Sequence, residues 1–235
     1  MTDLDVVDAY DRQAAALAAS YDDPRLLEVY APVSALLQTP PPDALALDVG
    51  AGSGRDAAWL EQLGYEVVAV EPAAAMRAEG ERRHTSARIR WLDDRLPGLT
   101  AIHRLGLAFD LILISGVWQH VAPGDRARAF RKLSSLLKPG GQMLITLRHG
   151  PAPVDRPMHA VSLGEIEALA RWGGLEIVRV QTSNDELGRE DVSWTLVVLR
   201  WPDDGAGALP LIRGIILGDD KSSTTSWRCC APLGE

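Results

Sequence analysis

The chain has 235 residues and a formal net charge of −8, with 46% hydrophobic and 24% charged residues. These values are typical of a globular protein with one α/β domain, and the negative charge argues against binding to nucleic acid or an anionic membrane. No apolar run approaches the roughly 18 residues of a membrane span, and the opening residues do not resemble a signal peptide. The two cysteines, Cys229 and Cys230, are adjacent, which disfavours a metal site. We therefore expect a cytoplasmic protein without a bound metal.

Helical spacing opens the chain, from about Asp5 to Gln38, and it ends before a run of prolines at 40–42. Apolar runs and helix-like segments then alternate. This alternation predicts an α/β fold, a Rossmann-like, doubly wound and mostly parallel sheet with helices on both faces. The runs that predict its first five strands are Ala44–Val49, Tyr65–Val70, Ile89–Leu92, Leu111–Ile114 and Met143–Leu147.

The end of the predicted domain has a different pattern. A helix after Pro123 should stop at Lys138-Pro139-Gly140-Gly141, and Ser162-Leu163-Gly164-Glu165 is a capping box that opens another helix. Two further strands, Leu175–Val180 and Trp194–Arg200, leave no room for a helix between them. We therefore expect them to pair antiparallel, as a reversed hairpin that completes a seven-stranded sheet.

Three segments follow from this pattern. Residues 1–42 are predicted to form an N-terminal helical lid, and residues 43–201 the core domain. Residues 202–235 read as a linker and tail that do not continue the alternation. Because this tail fits no secondary-structure pattern, we expect either an ordinary disordered terminus or a truncated or frame-shifted end.

The most informative motif is the stretch from Leu45 to Gly54, where an apolar strand ends in Asp48 and three glycines follow at alternate positions, before a helix that begins near Arg55. Glycine allows a tight turn that a ligand can approach closely, at the positive end of the following helix. A second acid, Glu71, follows the next strand and is placed to accept from ribose hydroxyls. The motif therefore predicts a nucleotide-like cofactor at the carboxyl end of the sheet.

Together these features resemble the class I S-adenosylmethionine-dependent methyltransferases of the small-molecule type, over roughly residues 5–201. The resemblance rests on Leu47–Gly54, on Glu71 in Val68–Pro72, on Asp93/Asp94 before Leu96-Pro97, on Ser115–His120, on Leu137–Gly141 and on the final hairpin. It also includes the repeated Tyr-Asp pair of the opening helix, Tyr10-Asp11 and Tyr21-Asp22. It implies that S-adenosyl-L-methionine is the cofactor and that its acceptor is a small molecule.

The resemblance also assigns residues to the cofactor. Glu71 is expected at the ribose, and either Asp93 or Asp94 at the adenine amino group; the short spacing before Leu96-Pro97 leaves both open. The predicted cofactor-binding residues are Tyr10, Tyr21, Asp48, Gly50, Ala51, Gly52, Gly54, Arg55, Asp56, Glu71, Pro72, Met76, Asp93, Asp94 and Ser115.

Residues after the fourth and fifth strands are candidates for the chemistry. His120 is predicted to act as a base or to orient the acceptor, the alternative being a structural histidine. Arg148 has a predicted catalytic or anion-binding role. Trp118 and Arg189 are predicted to contact the substrate, although core packing for Trp118 and a solvated loop for Arg189 are the competing interpretations.

The sequence disfavours two other functions and leaves a third open. A nicotinamide-dinucleotide site would have glycine where Arg55 stands. DNA methylation is disfavoured because Ser115-Gly116-Val117-Trp118 replaces the Asn/Asp-Pro-Pro-aromatic motif, and no cysteine nucleophile or basic channel is evident. A non-catalytic, regulatory S-adenosylmethionine-binding module stays open, because no general base is certain. The leading hypothesis is direct methyl transfer to an oxygen, nitrogen or sulfur nucleophile of a small molecule, by a monomer or homodimer.

Overall fold

Seven strands form one sheet in the computed structural model, which describes residues 3–37 and 40–203. The strand order is β3-β2-β1-β4-β5-β7-β6, and β7 alone runs antiparallel to its neighbours. The strand bounds are β1 Leu45–Val49, β2 Glu66–Val70, β3 Ile89–Leu92, β4 Phe109–Ile114, β5 Leu137–His149, β6 Glu176–Asn184 and β7 Ser193–Arg200. The predicted sheet and its reversed final hairpin are therefore confirmed.

Six α-helices lie around this sheet within the described residues. They are α1 Asp3–Tyr21, α2 Arg55–Gln62, α3 Ala74–Arg83, α4 Thr100–Arg104, α5 Arg126–Ser134 and α6 Leu163–Gly173. A 3-10 helix, Pro24–Leu36, follows α1, and shorter ones span Trp118–His120 and Pro123–Asp125. None of the helices described here is both long and apolar enough to span a membrane.

The core lies on both faces of the sheet because side chains alternate along each strand. On one face Ile112 and Ile114 of β4 pack with Phe130 of α5 and Ile166 of α6. On the other face Leu111 and Leu113 pack with Leu60 of α2 and with Tyr30 of the 3-10 helix. Runs that are buried on both faces are continuously apolar, which is why the sequence predicted these strands well.

Two details differ from the predictions. The opening segment is helical as expected and changes at Pro24, but its second half is a 3-10 helix rather than an α-helix. Helix α5 ends at Ser134, so Lys138–Gly141 belongs to β5 and not to a turn. The pairing register with β4 shifts between Phe109 and Leu111, which accommodates the extra residues at this end of the strand.

The final residues of the chain lie outside the described part. The predicted linker and tail start at residue 202, and the structure describes only its first two residues. Both cysteines and the proposed truncation or frame shift therefore fall on residues that are not described. The predicted lid corresponds in position to α1 and the 3-10 helix, and its boundary and its role as a lid stay predictions.

The start of α6 provides a stability test. Ser162 accepts a hydrogen bond from the Glu165 N–H through its hydroxyl oxygen at 3.2 Å, as the capping box predicts. Ser162→Ala should lower the free energy of unfolding by about 1 kcal/mol, because a helix donor loses its partner. Urea denaturation measures this change. Ser135→Ala, an exposed serine beyond α5, should change stability by less than about 0.5 kcal/mol; equal effects would contradict the role assigned to the cap.

Candidate active site

A cavity of about 260 Å³ lies at the carboxyl ends of the parallel strands. One part of its wall is the glycine turn after β1 and Glu71 after β2, and another is Ser115 after β4. Tyr10 and Tyr21 of α1 cover it, and the loop between β5 and α6 contributes Arg156. Carboxyl ends at a switch point of strand order are where open α/β sheets bind ligands, so the cavity occupies the expected position.

The glycine turn is bonded through its backbone to the end of β2 and packs closely against Val117. The N–H groups of Gly50 and Ala51 donate to the Val70 carbonyl at 2.8 and 2.9 Å, which fixes the turn against the end of β2. Gly50 has φ of +72°, and a Cβ there would lie 2.4 Å from Val117 Cγ2. Only glycine therefore suits this position, since a side chain would clash and strain the backbone. Gly50, Ala51 and Gly52 all line the cavity.

Glu71 is the buried acid of this site. Its side chain is 7% exposed, and its two oxygens accept from the N–H groups of Gly52 at 2.9 Å and Ala73 at 2.8 Å. Burial raises the pKa of Glu71 to about 7, although both backbone hydrogen bonds act to lower it. The carboxylate keeps further lone pairs and faces the cavity, so it has the capacity to accept from hydroxyl groups of a ligand.

A second group of polar side chains lies beside the glycine turn, around the start of α2. Asp56, at the start of α2, accepts from Arg55 through two bonds of 2.8 Å. The Tyr30 hydroxyl lies 3.1 Å from Asp56 and 2.9 Å from the Ser115 hydroxyl. Asp48 is fully buried, and burial together with Asp56 raises its pKa. One of its carboxyl oxygens has no hydrogen-bond partner. This group thus contains two acids, Asp48 and Asp56, and one cation, Arg55.

The two Tyr-Asp pairs of α1 have distinct tasks. Asp11 accepts from the Ala75 N–H at 2.6 Å, at the start of α3, and Asp22 accepts from the Ser53 hydroxyl at 3.2 Å. Both aspartates therefore attach α1 to the core domain. The preceding tyrosines, Tyr10 and Tyr21, face the cavity instead.

His120 lies at the other end of the cavity, after β4. Its Nδ1 is 3.1 Å from the Pro157 carbonyl, which requires that Nδ1 carries the proton; its Nε2 is 3.2 Å from the Tyr10 hydroxyl. Burial lowers the pKa of His120 to about 4, and the bond to Pro157 opposes this shift. The imidazole is therefore neutral at neutral pH, with Nε2 as an acceptor directed at Tyr10.

The structure distinguishes the two acids after β3. Asp93 has a 71% exposed side chain that lies 3.7 Å from Arg77, and it does not reach the cavity. Asp94 lines the cavity, and its carboxylate also accepts from the Thr100 and Ile102 N–H groups at 3.1 and 3.0 Å. Asp94 is therefore the better placed of the two for an adenine ring, and it has a structural role as well.

Most of the predicted site residues come together around the cavity. Those that line it are Tyr10, Tyr21, Gly50, Ala51, Gly52, Arg55, Asp56, Glu71, Pro72, Asp94, Ser115, His120, Arg148 and Arg189. No group of three or more metal-ligating side chains occurs within the described residues.

Five predicted site residues lie away from the cavity wall. Trp118 is fully buried and packs edge-on against Phe130, which corrects its predicted contact with substrate to a core role. Gly54 packs beneath His84 and Trp91, where a Cβ would lie 2.8–2.9 Å from their rings. The remaining three are Asp48 and Met76, both buried behind the glycine turn, and the exposed Asp93. Direct contact with a cofactor is therefore not supported for these five.

Sequence reasoning missed three residues of this region. Tyr30 joins Asp56, at the start of α2, to Ser115 after β4. Arg156 bonds the Tyr21 hydroxyl at 2.9 Å, and Met158 lines the cavity. Arg156 and Met158 lie on the loop between β5 and α6, which has no periodic pattern. The proline-rich run after Arg148 and His149 is the signal that could have marked this loop as part of the site.

Comparison with known families agrees with this geometry. Residues 46–141, from β1 into β5, match the family described as a methyltransferase domain. This match includes the glycine turn, Glu71 and the ends of β3 and β4, which are segments that carry the resemblance to the class I S-adenosylmethionine-dependent methyltransferases. It supports the predicted family, whose cofactor is S-adenosyl-L-methionine.

Two curated relatives match part of this chain. It is 35% identical over 97 residues to a ubiquinone biosynthesis O-methyltransferase of Methylocella silvestris, over 41% of this chain and 37% of the relative. It is 29% identical over 107 residues to an uncharacterized methyltransferase of Alkaliphilus oremlandii, over 43% of this chain and 44% of the relative. The match thus spans less than half of either relative.

Solved structures share the fold over more of the chain. The Burkholderia thailandensis 1,6-didemethyltoxoflavin-N1-methyltransferase, with its substrate and S-adenosylhomocysteine bound, has a TM-score of 0.67 and 21% identity, covering 85% of this chain and 88% of its own. The N-methyltransferase NodS of Bradyrhizobium japonicum has a TM-score of 0.60 and 19% identity, covering 77% and 98%. At these identities the likeness establishes the fold.

The residues present suit the cofactor of the family. Glu71 offers buried, incompletely used acceptor oxygens, and Gly50 and Gly52 have no side chains that would fill the cavity beside the turn. These residues and Asp94 would hold S-adenosylmethionine, with Glu71 at the ribose hydroxyls and Asp94 near the adenine.

The pKa of Glu71 predicts a stability difference with pH. Because its pKa rises from 4.5 to about 7 on folding, the stabilisation from the bound proton is complete below about pH 4.5 and is lost as the pH rises toward 7. Relative to Glu71→Gln, which stays uncharged, the unliganded wild type should lose about 3 kcal/mol over this range.

Urea denaturation of the unliganded protein at a series of pH values measures this loss. Glu66→Gln, an exposed residue at the other end of β2, serves as the matched control and should follow the wild type. Parallel curves for wild type and Glu71→Gln would contradict the raised pKa.

Proposed function

We propose that this protein transfers a methyl group from S-adenosylmethionine to an oxygen, nitrogen or sulfur atom of a small molecule by direct displacement. The observation that carries the proposal is one continuous cavity. It extends from the glycine turn and Glu71, the side suited to the cofactor, to His120 and Tyr10, the side left for an acceptor. S-adenosylmethionine, when bound, supplies a methyl group that its sulfonium already activates.

The work left to the protein is positioning and exclusion of water. Tyr10 and Tyr21 of α1 cover the cavity, and Arg156 connects this cover to the β5–α6 loop through its bond to the Tyr21 hydroxyl. Two segments that are distant in sequence thus line the cavity together. A small acceptor suits a cavity of about 260 Å³ better than a polymer does.

His120 is the group suited to receive a proton or to orient the nucleophile. Its Nδ1–H donates to the Pro157 carbonyl, so Nε2 carries an acceptor lone pair in a fixed direction. Tyr10 now occupies that lone pair, and its hydroxyl is itself an unlikely proton source because burial raises its pKa. An acceptor hydroxyl or amine that replaces Tyr10 at Nε2 would donate to the same atom.

Cofactor binding is the first test. Isothermal titration with S-adenosylmethionine and S-adenosylhomocysteine should show binding, and Glu71→Ala should weaken it by about 1–3 kcal/mol because ligand hydroxyls lose a charged acceptor. Glu66→Ala is the matched control and should bind as the wild type does. Unchanged affinity in Glu71→Ala would place the ribose elsewhere, and tight NADH binding with neither of these two ligands bound would refute the proposal.

Transfer itself is tested by incubation with methyl-labelled S-adenosylmethionine and a fractionated metabolite extract. Labelled product supports catalysis. Cofactor binding without product in any fraction would favour the non-catalytic module instead.

The role of His120 has its own prediction. With the acceptor identified from the labelled fraction, His120→Ala should lower kcat by about 10²–10⁴-fold and leave the affinity for S-adenosylhomocysteine unchanged. His103→Gln, on α4 and away from the cavity, controls for loss of a histidine. Full turnover by His120→Ala across a pH series would show that His120 is structural and that positioning alone carries the reaction.

The pH profile separates the neutral imidazole from an ordinary histidine. Because the pKa of His120 lies at about 4, the acidic limb of the kcat–pH profile that depends on His120 should have its midpoint well below pH 6.5. A limb near 6.5 that disappears in His120→Ala would contradict the buried, neutral state.

A further inference from the structure

We propose that the acceptor carries a carboxylate and that Arg148 and Arg156 bind it inside the cavity. This inference rests on the proposed function, since it concerns the acceptor end of the same site. It names the chemical class of the acceptor, which neither the fold nor the cofactor residues determine.

Arg148 is a buried cation without an acidic partner. It lies near the end of β5, is 8% exposed and lines the cavity. Its Nη1 donates to the Pro151 carbonyl at 2.9 Å and more weakly, at 3.4 Å, to that of Gly150. Its Nε and Nη2 have no hydrogen-bond partner among the described residues. Within the described ranges one other arginine, Arg126, is buried to this degree, and it bonds Glu165 at 2.7 Å. Arg148 differs from it in having no such acidic partner.

Arg156 brings a second cation to the same space. Its guanidinium lies 5.6 Å from the ring centre of Tyr10, and Nη1 donates to the Tyr21 hydroxyl at 2.9 Å. The carboxylate of Asp155, on a 44% exposed side chain, is 3.8 Å from Nε, which is too far for a hydrogen bond. Nε itself is buried and has no hydrogen-bond partner. Its positive charge is thus only weakly offset.

Arg189 also lines the cavity, but its guanidinium is paired with a carboxylate. Its Nε and Nη2 bond the two oxygens of Asp185 at 2.9 and 2.5 Å, and the Trp194 indole N–H donates to the same carboxylate at 2.9 Å. Although burial acts to raise it, these hydrogen bonds lower the pKa of Asp185 to about 2. Arg189 is therefore already neutralised by Asp185. The predicted substrate contact of Arg189 is not needed for the proposed carboxylate.

The electrostatics of the three arginines favour an added anion. Burial lowers the pKa of Arg148, and the charge of Arg189 and, to a smaller extent, that of Arg156 lower it further, while Asp185 and Asp191 oppose this shift. A ligand carboxylate would remove this unfavourable state. The unused Nε–Nη2 edge of Arg148 presents two parallel donors, the arrangement that matches both oxygens of a carboxylate. Nearby Val121, Met158 and Leu187 line the cavity with apolar surface that suits the body of an organic acid.

The test follows the arginine Nε–H signals by ¹⁵N NMR in protein saturated with S-adenosylhomocysteine, at constant ionic strength. The probes are benzoate, benzamide and phenyl phosphate, which share a ring and differ in the head group. Arg148→Lys and Arg156→Lys assign the two signals. Benzoate should shift both signals saturably, benzamide should shift neither, and Arg128, exposed on α5, should not respond.

Other outcomes overturn the inference. An equal response to benzamide, or no response to benzoate, would contradict the proposal that the site binds a carboxylate. A response to phenyl phosphate alone would show that the site binds a phosphate instead. If S-adenosylhomocysteine fails to bind the wild type, the proposed function fails first. If it binds and benzoate does not, only the acceptor inference fails.

Variants make the assignment quantitative. Arg148→Gln should weaken benzoate binding by about 10-fold or more, because a charged, two-point hydrogen bond is lost. Its affinity for S-adenosylhomocysteine should stay within about twofold of the wild type, which also shows that it is folded. Arg148→Lys should recover part of the benzoate affinity, whereas Arg128→Gln should change neither affinity. Wild-type benzoate affinity in folded Arg148→Gln would contradict the role of Arg148.

Discussion

The bond between the Glu71 carboxylate and the Gly52 N–H is the interaction on which the site depends. It joins the end of β2 to the turn after β1, the two places where the parallel sheet presents groups to a nucleotide-like ligand. The same turn passes close to Val117, which follows β4 and leaves no room for a Cβ at Gly50. The bond also holds a buried carboxyl group in position. The conformation of the turn and the position of the Glu71 carboxyl group, which determines what it can bind, therefore depend on each other.

The charges of the cavity are separated along its length. Around the glycine turn the carboxyl groups of Asp56 and Glu71 line the cavity, and this end suits a cofactor with hydroxyl groups that donate hydrogen bonds. The acceptor end has Arg148 and Arg156 incompletely paired and His120 kept neutral by burial. A cofactor with ribose hydroxyls and an anionic acceptor would thus each meet complementary groups, which orients both molecules.

The sequence predicted the parts of the protein that obey local rules. Strands buried on both faces are continuously apolar, and the glycine turn requires particular backbone angles, so both are visible in a short window. The position of Trp118 was not, because burial depends on α5 packing against β4. The contact between Tyr10 and His120 joins residues 110 apart, and Arg156 meets Tyr21 across 135. Such contacts arise from the docking of α1 and of the β5–α6 loop, which no periodicity encodes.

The structure of the complex with S-adenosylhomocysteine, determined by crystallography, tests the central claim most directly. The account predicts that both ribose hydroxyls lie within hydrogen-bond distance of the Glu71 carboxylate and that the adenine lies beside Asp94. The space between the sulfur atom and His120 should stay open, with Arg148 and Arg156 at its far wall. A ligand whose ribose lies away from Glu71, or whose sulfur faces away from His120, would contradict the account.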